Sequence, residues 1–134
     1  MVNKKKKGFT LIELVVVLVI LGIVSIMSVT MYRGYVGRAM ATEGRTLLST
    51  IASAEKIYYA EYGEFVGSGL TGHDPMLDVD ATMNTYFRQY QITLTNGNMG
   101  FFAQTDGATA SSAGISVTFD QDPNAAPTVQ VTGL

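Results

Sequence analysis

The sequence predicts an α+β fold. A long N-terminal α-helix, apolar in its first half and amphipathic in its second, packs on a small antiparallel β-sheet head. Three observations carry this. An apolar run from Leu14 to Met31 follows the basic stretch Lys4 to Lys7. From Tyr32 to Tyr62 there is no proline, and apolar residues recur at Val36, Met40, Leu47, Ile51, Ala54 and Tyr58, the spacings of one helical face. Beyond Gly63 the pattern changes to glycine-punctuated loops and short alternating runs. A chain of 134 residues is long enough for one domain with a modest core.

Residues 1–8 form a basic leader and residues 9–31 an apolar helix. The apolar stretch is long enough to cross a bilayer, which takes roughly 20 residues. The lysines hold the extreme N-terminus on the cytoplasmic side. A secretory signal peptide would end in a small-residue cut site after its apolar core. Here the run continues without one, and the polar hinge, Lys7-Gly8, precedes it. Residues 32–134 form the head. Its amphipathic helix spans 32–62, with Arg38, Glu43, Arg45, Glu55, Lys56 and Glu61 largely off the apolar stripe and Gly63 as the stop. Taken from Phe9 to Tyr62, the helix holds 54 residues and runs about 80 Å at 1.5 Å per residue.

A loop follows over 63–88, in which Asp78 or Asp80 is placed to cap a short helix through Tyr86. The sheet occupies 89–134. Gln91 to Thr95 alternates, Asn96-Gly97 signals a hairpin turn, and Gly100 to Thr105 is the return strand. Ile115 to Phe119 and Thr128 to Thr132 are the remaining strands. Ile92, Leu94, Phe101 or Phe102, Ile115, Val117, Phe119, Val129 and Val131 supply an apolar face for the helix to cover.

Composition excludes several function classes. Without cysteine there is no disulfide and no thiolate metal site. His73 is the single histidine, which argues against a histidine metal cluster or a catalytic triad and for a solvated loop residue. No phosphate-binding glycine motif is present, and no residues point to catalysis. Removing residues 1–8 leaves five cations against eleven acids, a formal −6, which argues against general nucleic-acid binding.

Glu13 is a lone acid within an apolar segment, where a charge is costly and marks function. With the basic leader, Gly8, Phe9-Thr10-Leu11-Ile12-Glu13 and Gly22, the N-terminus resembles that of type IV prepilins and type II secretion pseudopilins. The resemblance continues through Tyr32, Tyr35, Arg38-Ala39, Glu43-Gly44 and Ala60 to Phe65, and fades beyond. It implies cleavage between Gly8 and Phe9 by a prepilin peptidase and methylation of the new amine on Phe9. It also implies pairing of Glu13 with the amine of a neighbouring subunit, which would set register between copies. The alternative for Glu13 is that it snorkels to the headgroups. Many pilins carry proline where this chain has Thr30, so the usual cause of a kink or local melting is missing there, while Gly34 and Gly37, weak helix formers, could supply flexibility slightly later.

Two acidic groups are candidates for calcium. Asp74, Asp78 and Asp80 are one. Asp120, Asp122 and Asn124 share the opening of an EF-hand loop but lack its glycine and its closing glutamate, which favours a solvated turn. Major secretion pseudopilins often bind calcium near the C-terminus, so calcium remains the one candidate cofactor. Tyr58, Tyr59, Tyr62, Phe65, Tyr86, Phe87 and Tyr90 form an aromatic band suited to core and subunit packing. The resemblance implies a structural subunit, not an enzyme. It would be held in the inner membrane, extracted by an assembly platform and polymerised with copies of itself into an extracellular pilus. A periplasmic pseudopilus subunit and a minor pilin with an adhesive or DNA-binding head are the alternatives.

Overall fold

The computed structural model describes residues 8–134, and Lys4 to Lys7 with the rest of the expected leader lie outside the described residues. The elements are α1 (Leu11–Tyr62), β1 (Ser68–Thr71), β2 (His73–Asp74), β3 (Val79–Asp80), β4 (Tyr90–Thr95), β5 (Gly100–Asp106), β6 (Ser116–Gln121) and β7 (Thr128–Thr132). The chain divides into two units, residues 1–35 and 36–134.

In the first unit α1 is exposed on every side from Leu11 to Arg33. An 18-residue window there has a mean hydropathy of 2.8 and none of it is buried, so by length and composition it can cross a membrane. A helix is the form that satisfies every backbone group inside lipid. The few hydroxyls are satisfied the same way. Ser25 Oγ donates to the Leu21 carbonyl at 2.7 Å, Ser28 Oγ to Val24 at 3.0 Å and Thr30 Oγ1 to Met27 at 2.9 Å. At Thr30 the backbone stays within one continuous α-helix.

In the second unit α1 packs on an antiparallel sheet of order β1-β4-β5-β6-β7, with β2 and β3 forming a separate two-stranded pair. This is the expected α+β architecture. Met40, Leu47 and Ile51 of the anticipated stripe are buried, and Val36, Ala54 and Tyr58 pack partly against the core. Ala41, Gly44, Leu48 and Ala52 widen the buried face. Gly44 permits the closest approach: a Cβ there would sit 2.9 Å from Val117 Cγ2 on β6. From the strands, Ile92, Phe101, Val117 and Phe119 are buried, as is Ile115 just before β6, whereas Val129 on the edge strand β7 is 48% exposed. Of the aromatic band, Phe65, Phe87 and Tyr90 lie in the core. The β4–β5 hairpin turns at Asn96, Gly97 and Asn98, all three left-handed.

Two expectations are corrected. No helix runs from Asp78 to Tyr86; β3 and turns occupy that stretch, and Asp80 Oδ1 accepts the Thr82 N–H at 2.8 Å. Local side-chain turns of this kind compete with helix. Glu55 does not lie off the stripe. It is fully buried, because it follows Leu48 by seven and Ile51 by four residues on the same face.

Candidate functional site

The N-terminal segment is built around one side-chain clasp. Thr10 precedes the first helical residue, and Glu13 follows it by three. The Thr10 backbone N–H donates to Glu13 Oε2 at 2.8 Å and the Thr10 hydroxyl donates to the same oxygen at 2.7 Å. The Glu13 backbone N–H returns a bond to Thr10 Oγ1 at 3.3 Å. This reciprocal arrangement is a capping box. It places a carboxylate beside N–H groups that begin α1 without partners, where the helix dipole favours negative charge.

The box went unread in the sequence, although its signal was present. A threonine followed three residues later by glutamate, ahead of an apolar run, is its sequence signature. Its meaning is that Glu13 has a local partner within its own chain. Both bonds go to Oε2; among the described residues no bond goes to Oε1.

Gly8, Phe9 and Thr10 lie outside α1 and are exposed, with Phe9 81% exposed. A Cβ built at Gly8 meets nothing within 4 Å. The Gly8–Phe9 bond thus lies in open, non-helical chain, the form a protease can engage.

The other candidate residues fall elsewhere. Asp122 Oδ1 accepts the Asn124 N–H at 2.8 Å and faces the Asn96 amide nitrogen at 3.5 Å, so it closes a local turn. Asp74 is buried and accepts the Met76 N–H at 2.9 Å, while Asp78 and Asp80 are exposed. No group of three histidine or acidic side chains is arranged to hold a metal ion among the described residues. His73 is exposed on β2.

Two acids of α1 hold the head together. Glu43 accepts backbone N–H groups from Thr85, Tyr86 and Phe87 at 3.2, 2.6 and 3.0 Å. Glu55 accepts the Val66 N–H at 3.0 Å through Oε2, while its Oε1 is buried without a partner. Burial, and secondarily the charge of Asp74, pushes the Glu55 carboxyl up to about 7 against the pull of the Val66 bond. Sequence spacing carried no sign of either tether, since both partners lie in irregular backbone far along the chain.

Residues 3–29 match the family described as the prokaryotic N-terminal methylation motif. A fimbrial protein of Neisseria meningitidis serogroup B is 39% identical over 66 residues, covering 49% of this chain and 39% of the relative. The fimbrial protein EcpC of Eikenella corrodens is 27% identical over 115 residues, covering 86% of this chain and 72% of the relative. A fimbrial protein of N. meningitidis serogroup A is 39% identical over 63 residues, 47% of this chain and 37% of the relative. The chain thus spans about two fifths of the meningococcal relatives it matches. No solved structure matches it significantly. In its methylation motif and in its likeness to fimbrial proteins the chain is thus similar to type IV pilins, with the motif confined to residues 3–29.

Proposed function

We propose that this chain is a type IV pilin, the major structural subunit of a pilus-like filament, and that it acts without catalysis. A prepilin peptidase cuts between Gly8 and Phe9, and the freed amine of Phe9 is methylated. The processed chain waits in the inner membrane until an assembly platform draws it into a polymer of its own copies, an extracellular pilus. The observation that carries this is the unburied apolar helix with a single acid at its start. Such a helix needs lipid or other helices on every side. Contacts that are heterologous and do not close supply an open helical polymer of them.

Glu13 has the same place in the scheme. Oε2 closes the capping box, and Oε1 is free among the described residues to accept the Phe9 amine of a neighbouring copy. Pairing offsets the cost of a carboxylate among apolar helices, and its product is register more than net stability. The reading involves no cofactor and no nucleic acid.

Imaging of cells with and without the gene, with intact-mass analysis of sheared filaments, tests the reading. Abundant surface filaments whose subunits begin at a methylated Phe9 are expected. A subunit beginning elsewhere overturns the processing step. Short periplasmic filaments with a loss of protein secretion would assign the chain to the pseudopilins instead.

A further inference from the structure

Apart from the buried Glu55, the second unit carries its helical charges on two opposed flanks. Arg38, Arg45 and Lys56 are exposed, and at 100° per residue they fall within about 20° of one another around α1. Glu43 and Glu61 are eighteen residues apart, five full turns, so they share a second line about 140–160° away. Asp78 and Asp80 join this acidic side, lining a cleft with Glu43, Thr46 and Thr50.

Neither row is neutralised by its own helix. No acid lies three or four residues from Arg38, Arg45 or Lys56, and no base lies three or four residues from Glu43 or Glu61. Those are the positions where a helix pairs its charges. The two rows also share a spacing. Glu43 follows Arg38 by five residues, and Glu61 follows Lys56 by five. Asp78 and Asp80 stand level with Thr46 and Thr50, just beyond Arg45.

We propose that the two flanks are the two halves of one contact between copies of this chain. The basic row of one head seats against the acidic flank of the next. An axial shift of about five residues, ~7.5 Å at 1.5 Å per residue, sets each base opposite an acid. The contact uses different patches on its two sides, so it propagates without closing. It rests on the filament reading and adds the residues that select the lateral neighbour and its displacement.

Lys56 and Glu61 give the test, since both are exposed and neither tethers the head. In the full chain, Lys56→Glu sets acid against Glu61 of the neighbour, and Glu61→Lys sets base against its Lys56. Each single variant should lower the yield of sheared filaments about tenfold at low ionic strength, with membrane-inserted subunit unchanged. The double swap, and co-expression of the two single variants, should both recover to within about threefold of wild type, because attraction is restored between copies. Wild-type yield from both single variants overturns the contact. Loss in the single variants without recovery in the co-expressed pair also overturns it, and assigns the basic row to another partner such as an anionic lipid surface. Failure of the wild-type chain to form filaments would instead remove the filament reading itself.

Discussion

Glu43 takes three backbone N–H groups from one short stretch of irregular chain, a concentration of donors normally found at a helix N-terminus. Without the carboxylate, the N–H of the buried Phe87 has no such acceptor. Glu43→Ala should cost the head about 2–4 kcal/mol in urea unfolding, and Glu43→Gln clearly less, since its amide oxygen still accepts. Glu55 acts in the other direction. Its folded-state value near 7 stands above the ordinary 4.5, so between those values the native state binds more protons than the unfolded chain. Its contribution is full below about pH 4.5 and is lost as pH rises through about 7. Asp80, held below the ordinary aspartate value by its bonds to Thr82, contributes throughout that window and loses its contribution only on further acidification. Melting temperature followed from pH 4.5 to 7.5 should fall for wild type in that window, relative to Glu55→Gln, which keeps the Val66 bond without the titration.

At the scale of elements, the amphipathic half of α1 is a lid fitted to β4, β5 and β6. A chain beginning at Tyr35 should fold and stay monomeric, because the division between the two units falls there. Ile51→Asp in that chain should unfold it at room temperature, since Ile51 has no exposed surface and a charge would be buried unpaired. Gly44→Val should cost about 1–3 kcal/mol by forcing helix and sheet apart at Val117. Circular dichroism melting reads both, and an unchanged midpoint in either would mean that the helix does not face the sheet as described. The period of α1 and the hairpin at Asn96 were legible because each is local: a repeat of apolar residues and a turn that needs left-handed backbone. What lay beyond reading was set by distant partners. Nothing near Glu55 announces Val66, and nothing in the stretch from Asp78 to Tyr86 announces that Glu43 will take up its N–H groups in place of a helix. At the N-terminus the capping box went unread, although the spacing Thr10 to Glu13 is its signal. The resemblance drew attention to a contact between subunits instead.

For the whole molecule, the box separates two roles of Glu13. Glu13→Gln keeps an acceptor for the Thr10 groups and removes the charge, whereas Thr10→Ala keeps the charge and removes the cap at about 1 kcal/mol. If the charge sets register between subunits, Glu13→Gln and Glu13→Ala should both lose or misregister filaments in electron micrographs, with membrane insertion and head folding intact. Thr10→Ala should assemble. Equal loss from Thr10→Ala and Glu13→Gln would assign the effect to the start of the helix instead.

The hydroxyls of Ser25, Ser28 and Thr30 turn back onto carbonyls of their own helix, so the apolar half of α1 offers its surroundings almost nothing but hydrocarbon. A lipid bilayer and a bundle of like helices are then nearly equivalent solvents for it. Movement from one to the other breaks no hydrogen bond of the segment and exposes no new polar atom. The exchange lies close to thermoneutral in hydration terms, and a subunit can in principle be taken from either medium and returned to it. On the proposed reading, the direction of travel is set by whatever differs at the ends of the segment: the Phe9–Glu13 start, where cleavage would make a charge for Glu13 to meet, and the head.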